Sequence, residues 1–497
     1  MRRDRSRRLV ALTPLALAVA LSAQAQEPGA QEPAAQPPAG DEALSALAEL
    51  EAAAEQSAQR PLPQLPLLVE RAMQNDVDLS RQRYELQASE REIDKAWAQL
   101  KPQLSASASY QYQQGDNYYT DNPSYDPSNE RVDPDNEARY EGTTRDTLWQ
   151  VSLSQPLFSL ERWRGVDRAE QQVDAAELDL ALVERDLALS VSEAYLNAFT
   201  ASRKLATLNA QQEALDLQVR QAQRAYELGV GDRINLLEAQ SRFDQAIADA
   251  VQAENELDDA LSELERLTGL RPDFGEAQLG EVDDVSLDEL ARDEQEWLAS
   301  IGNNLDVLRA QAEQAIARSD TRVRRSGYYP ELNLNLSYSD RASNDPFRES
   351  QDARASVQLE VPIYRGGYTT ANVEQGELSA MAAQEALDNQ RNLTAQEVRS
   401  RLRSLNGNSR RMEALKQAIE SSQLFLEAAE RGEQLGLRDL VDVLDARSSL
   451  YDQRIQFIDT LGRYAQDRLA LEAAIGNLGT DDLQQTMRLL AQVVPTD

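Results

Sequence analysis

The chain has 497 residues, enough for two or three ordinary domains, and a formal net charge of −34 that excludes a basic nucleic-acid footprint. It contains no cysteine and no histidine, which removes disulfides, thiolate and imidazole metal sites, cysteine nucleophiles and any Ser-His-Asp triad. Neither an enzyme, a resident cofactor nor a nucleic-acid partner is expected from such a composition.

The first residues, MRRDRSRRLVALTPLALAVALSAQAQ, join five arginines to an apolar run from Leu9 to about Leu21 and an Ala23-Gln24-Ala25 cleavage pattern. This reads as a secretory signal peptide over residues 1–25. The run is too short for an uncleaved spanning helix, which needs about 20 residues. Residues 1–25 carry five Arg and one Asp, net +4, so cleavage takes the charge from −34 to −38. Without cysteine the mature end cannot be lipidated through a thioether. No later run reaches 18 consecutive apolar residues, so a β-barrel is the remaining way to span a bilayer.

Residues 26–62, rich in Ala, Gln, Pro and Glu, read as a flexible leader. From Leu65 a helical period runs through Leu68, Val69, Ala72, Leu79, Leu86, Ile93 and Leu100 and stops before Pro102. The period then switches to two: in QLSASASYQY, strand ~103–112, Leu104, Ala106, Ala108, Tyr110 and Tyr112 share one face and Ser105, Ser107 and Ser109 the other. A polar loop with Asp116, Tyr118, Tyr119, Asp121, Tyr125, Asp126, Asp133 and Asp135 leads to a second alternating strand, ~148–155, before Pro156. A helix ~159–228 follows, interrupted by Gly165 alone, for which 1.5 Å per residue gives roughly 105 Å. Two apolar stripes along it predict two helical neighbours and a wall of helices. Gly229 and Gly231 break this rod before a return helix, ~234–268.

After an acidic linker, 271–297, the order repeats: a helix from about Leu305 to Arg325 before Pro330, strands ~331–339 and ~354–361, Pro362, a long helix ~364–435, Gly436 and a return helix ~439–475. The chain thus divides into repeat 1 (63–270), repeat 2 (298–478) and a C-terminal tail (479–497). Pro156 and Pro362 lie 206 residues apart and Gly229 and Gly436 207 apart, while the hairpins between the prolines span 54 and 32 residues. Rod length is held and loop length varies, which is what a spacing requirement between two planes produces. Four amphipathic strands cannot close a barrel, because open edges are not tolerated in lipid and the smallest membrane barrels have about eight strands. The chain is therefore expected to oligomerise, two copies giving a filled interior and three a lumen; polar/apolar alternation is also compatible with a sheet lying on a helical layer.

The repeated element order, with QPLF at Gln155–Phe158, VPIYRGG at Val361–Gly367 and LVDVLDA at Leu440–Ala446, resembles the TolC family of outer-membrane efflux and secretion channels over about residues 62–478. The resemblance implies an α+β membrane protein: a trimeric 12-stranded barrel with four strands per chain, continued by a periplasmic α-helical tunnel. It further implies an exit duct for an efflux pump or type I secretion system, located in the bacterial outer membrane. The implied partners are a homotrimer, a periplasmic adaptor, an inner-membrane transporter of RND, ABC or MFS type, and outer-membrane lipid. The turn residues Leu228, Gly229, Val230, Leu435, Gly436 and Leu437 would dock the adaptor, and Pro102, Pro156, Pro330 and Pro362 would mark strand-helix junctions.

The same turn is made twice, as LGVGDRINLLEA from Leu228 and LGLRDLVDVLDA from Leu435. Asp442 and Asp445, three apart, share a helical face. By the resemblance they match entrance aspartates that form stacked carboxylate rings in a trimer, able to bind inhibitory cations, and no metal is expected to reside there. Arg438 matches a gate arginine, but its relatives' aspartate and tyrosine partners are replaced by Asn235 and Glu433, leaving an Arg438–Glu433 pair as a substitute. Glu238 stands where the second copy has Asp445. Trp149, Phe158, Trp163, Tyr328, Tyr329, Tyr364 and Tyr368 fall near strand-helix junctions, where amphipathic rings favour a bilayer interface or pack ordinarily. An exported coiled-coil scaffold without a barrel is the competing reading.

Overall fold

The computed structural model describes residues 62–119, 138–275, 280, 282, 285–287, 293–345 and 348–494. The signal peptide, the leader up to residue 61 and most of the first hairpin's tip lie outside them. In chain order come α1 (Leu65–Asn75), α2 (Val77–Ala98), β1 (Gln103–Tyr119), β2 (Ala138–Ser159), α3 (Leu160–Glu227), α4 (Arg233–Thr268), the short α5 (Glu294–Ala299), α6 (Leu305–Arg325), β3 (Glu331–Ser343), β4 (Ser350–Glu360), α7 (Tyr368–Gln434), α8 (Leu440–Ala474) and α9 (Thr480–Ala491). Helix, two strands, long helix and return helix therefore occur twice in the same order. The long helices α3 and α7 have 68 and 67 residues, about 100 Å each at the α-helical rise.

The four strands form one antiparallel sheet in the order β1-β2-β3-β4. Its register aligns the apolar positions into a continuous band: Leu104 opposite Leu153, Ala106 opposite Val151, Val151 opposite Tyr338, Leu153 opposite Leu336, and Leu336 opposite Ala355. The other face is polar, and across it Ser105 and Ser152 share a hydroxyl hydrogen bond of 2.8 Å. In the single chain the apolar face is open, with Leu104 71 % and Leu359 63 % exposed, and on the polar face Ser105 and Gln358 are exposed while Asp146, paired with Arg348, is buried. Among the described residues β1 and β4 are the edge strands, each paired on one side only.

β1 and β2 extend well past their sequence-predicted ends, pairing as far as Tyr119 opposite Ala138. Beyond Tyr112 the residues are polar on both faces, so apolar periodicity fades while the backbone ladder continues. β2 also runs through Pro156, where the register with β3 shifts between Pro156 and Phe158. The junction itself is Ser159, whose side chain caps α3 at Arg162 N and donates to Glu331 Oε1 at 2.7 Å. α7 starts at Tyr368, a few residues late, because Gly366 (φ 62°) and Gly367 (φ 86°) are left-handed and end the extended segment.

The main apolar core sits partway along the rods, where Val191, Tyr195 and Phe199 of α3, Leu264 of α4, Val398 and Met412 of α7 and Phe457 and Leu461 of α8 meet α1. The C-terminal stretch, expected as a tail, carries α9, with Leu490 and Val493 wholly buried in this core. The acidic linker also contributes: Phe274, Val282 and Val285 are buried, and Gly280 N donates to Val493 O at 2.9 Å. Charge dominates both segments' sequence, and a few apolar residues decide their packing. Arg203 is fully buried in this layer, donating to Gly275 O, and burial lowers its pKa. Tyr195 donates to Pro63 O at 2.8 Å, tying the start of the described chain to α3.

Candidate pore-mouth site

Both helical hairpins reverse through the same backbone device. Gly229 (φ 74°) and Gly436 (φ 70°) are left-handed. Around the first, Val230 N bonds Ala225 O (3.0 Å) and Gly229 N bonds Tyr226 O (3.0 Å); around the second, Leu437 N bonds Gly432 O (2.8 Å) and Gly436 N bonds Glu433 O (2.9 Å). These paired 6→1 and 5→2 bonds are Schellman caps, which satisfy carbonyls that a helix end leaves bare. Such caps usually cover their last residue with an apolar contact; here Leu228, Val230, Leu435 and Leu437 are 72–81 % exposed. The turns thus present four bare aliphatic side chains.

The two copies differ at one structural pairing. A Cβ at Gly231 would lie 2.8 Å from Ala225 Cβ and 3.0 Å from its backbone carbon. In the second copy Arg438 takes the place of Gly231 and Gly432 that of Ala225, and a Cβ on Gly432 would meet Arg438 Cγ at 2.8 Å. The glycine has changed sides, making room for the Arg438 stem.

Arg438 Nη1 pairs with Asp442 Oδ2 at 3.2 Å, both half-exposed. Glu433, the substitute partner suggested by the sequence, is exposed at the end of α7 and is not the carboxylate that Arg438 bonds. Asn235 is half-buried in the first turn of α4. Asp445 is engaged from the other repeat: Arg242 reaches Glu238 Oε1 with Nε at 3.0 Å and Asp445 Oδ1 with Nη2 at 2.8 Å. Glu238 and Asp445, equivalent positions of the two copies, therefore share one guanidinium. Below them Leu215, Ala239, Ala246 and Leu444 form a small apolar cluster between α3, α4 and α8. Val443 and Ala446 face Ala429 of α7.

Sequence reasoning passed over Arg242. Its spacing of four from Glu238 makes an ordinary surface pair legible, and nothing local announces its reach to a residue 203 positions away. Arg447 was passed over as well: only 13 % exposed, it pairs with Glu430 of α7 and donates to Ala214 O at 3.2 Å. Next to Arg242 lies a cavity of about 260 Å³ among α3, α4 and α8, lined by Lys204, Asp249, Arg447 and Asp452 as well as Leu215 and Leu444. Partial desolvation there, with the charge of Asp249 adding to it, holds the Asp452 carboxyl above the usual range. Among the described residues no group of acidic side chains has the geometry to hold a metal ion, and no helix is long and apolar enough to cross a membrane.

At the other end of the rods, Pro102 precedes β1, Pro330 precedes β3, Pro362 follows β4 and Pro156 lies inside β2. Trp97 and Trp163 meet edge-to-face there with centroids 5.5 Å apart, and Tyr328, Tyr329, Tyr364 and Tyr368 are 48–83 % exposed. Exposed aromatic residues thus gather near the strand-helix junctions.

Residues 68–270 and 299–477 match the outer membrane efflux protein family. Over 443 residues the chain is 27 % identical to the outer membrane protein TolC of Salmonella enteritidis, covering 86 % of this chain and 84 % of that one. It is 26 % identical to the proteases secretion protein PrtF of Dickeya chrysanthemi, covering 84 % and 88 %. Its fold superposes on the crystal structure of the outer membrane protein VceC from Vibrio cholerae with a TM-score of 0.67 at 18 % identity, covering 83 % and 96 %. With the match covering most of the chain in two successive ranges, the chain belongs to the outer membrane efflux protein family.

Proposed function

We propose that three copies of this chain form an outer-membrane exit duct, which passively conducts small molecules or proteins from an inner-membrane transporter to the outside. The observation that carries the reading is the sheet. It has one bare apolar face, one polar face and, among the described residues, two edge strands paired on one side only, and it continues into rods of about 100 Å. Three such sheets close twelve strands into a barrel with the apolar band towards lipid and a polar lumen, and closure removes every edge. The aromatic residues near the strand-helix junctions then sit at the bilayer interface. The rods form a tunnel, and the bare Leu228, Val230, Leu435 and Leu437 dock a periplasmic adaptor.

The family's members include both efflux and secretion proteins, so the duct serves a tripartite efflux pump or a type I secretion system. In it Asp442 and Asp445 form stacked carboxylate rings at the periplasmic mouth, and Arg438 belongs to the gate. The chain is exported through its signal peptide and is not lipidated.

Outer-membrane fractionation with heat-modifiable gel mobility tests the barrel, and in vivo crosslinking from Leu437 identifies the adaptor and through it the transporter. Release of the protein from membranes by salt or alkali sinks the reading and leaves an exported coiled-coil scaffold in its place.

A further inference from the structure

The return helices α4 and α8 approach each other over an apolar seam in which Ala239 and Leu444 are almost wholly buried. Such contact is non-directional. Among the described residues the one ion pair between these two helices is Arg242 with Asp445. It lies ten residues into α4, about 14 Å from that helix's first residue. Arg242 is braced by Glu238 on its own helix, so the guanidinium is already oriented when it meets Asp445. Arg438, by contrast, turns to Asp442 within its own segment and, among the described residues, bridges to nothing in the first repeat.

We propose that Arg242 is the latch between the two helical hairpins at the pore mouth and, by occupying Asp445, an internal competitor for cations that enter it. The proposal rests on the conduit reading above. While the bridge stands, the Arg242 guanidinium, shared with Glu238, partly offsets the charge of Asp445 and holds α8 against α4. A multivalent cation reaching Asp445 displaces the guanidinium, and by linkage the cation weakens the bridge by the factor by which the bridge weakens the cation. The pair is 40 % and 59 % exposed, so salt or a docked partner loosens it readily.

The test records single channels of the full-length protein in planar bilayers and titrates block by hexaamminecobalt(III), whose fixed ammine shell reports charge rather than coordination. Arg242→Gln raises the open-to-closed ratio roughly tenfold if three part-exposed pairs act together, and it tightens block. Asp445→Asn also raises the ratio but weakens block. The opposite effects on block separate a competing charge from mere loosening of the fold. The exchange Arg242→Asp with Asp445→Arg restores the closed state and weakens block. Arg242→Gln channels that match the wild type in both readouts, or that are blocked less, overturn the latch. Wild-type protein that conducts nothing overturns the conduit itself.

Discussion

Gly436→Ala isolates the backbone's part in the turn. A Cβ at this position meets nothing within 4 Å, so the substitution introduces no clash and acts only through φ, which is 70°. An L-residue in the left-handed region costs about 1–2 kcal/mol, and that strain is relieved when the cap opens. The local opening equilibrium therefore rises roughly 5- to 30-fold. The amides that report it are Gly436, Leu437 and Arg438, which donate to Glu433 and Gly432 carbonyls, and their hydrogen-exchange protection should fall by that factor. Gly436→Asn should lose less, because Asn tolerates the left-handed region. Gly407 provides the opposite control: it lies inside α7, a Cβ added there would meet nothing within 4 Å, and its φ is not left-handed, so Gly407→Ala should stabilise by roughly 0.5–1 kcal/mol. Equal protection in Gly436→Ala and wild type refutes the assignment of the left-handed cap as the element that shapes the tip.

Replacing Asp442 and Asp445 together with Ala should abolish block by trivalent cations in single-channel recordings; unchanged block removes both from the entrance. Asp452, whose carboxyl is held above its ordinary range by desolvation and by Asp249, contributes stability below its unfolded pKa that is lost as pH rises through the folded one. The residue faces Lys204, Arg242, Asp249 and Arg447 across the cavity. Thermal midpoints should therefore decline slightly over that window, and Asp452→Asn should flatten the decline; an unchanged slope excludes it as the source. Leu490→Ala should destabilise the chain by about 2–5 kcal/mol in denaturant unfolding, because Leu490 is fully buried. Leu217→Ala, at a position 56 % exposed, should stay near neutral, and equal effects would remove α9 from the core.

Much of the architecture is local and therefore readable. A switch of period from about 3.6 to 2 at Pro102 needs only neighbouring residues, and so does a glycine that must reverse a helix at positive φ. Family membership was legible because element order, proline spacing and turn motif agree over both repeats, which the family match covers almost entirely. The strand extension to Tyr119 was not, since hydrogen-bonded pairing with Arg139 and Ala138 leaves no apolar period. The helix within the C-terminal stretch was obscured because its burial depends on α1 and the linker more than on its own polar sequence.

By itself the sequence determined the rods, the reversals and the amphipathic strands, because helix and strand patterns, left-handed glycines and face alternation are imposed within a few residues. Only the tertiary structure decided which charges meet. Glu433 and Asp442 flank Arg438 at similar sequence distance, yet the start of α8 brings Asp442 to it. Asp445 finds Arg242 from the other repeat because the Leu215–Ala239–Leu444 seam brings α4 and α8 together. Ion pairing follows distance in space, and that distance is set by apolar packing between segments 203 residues apart.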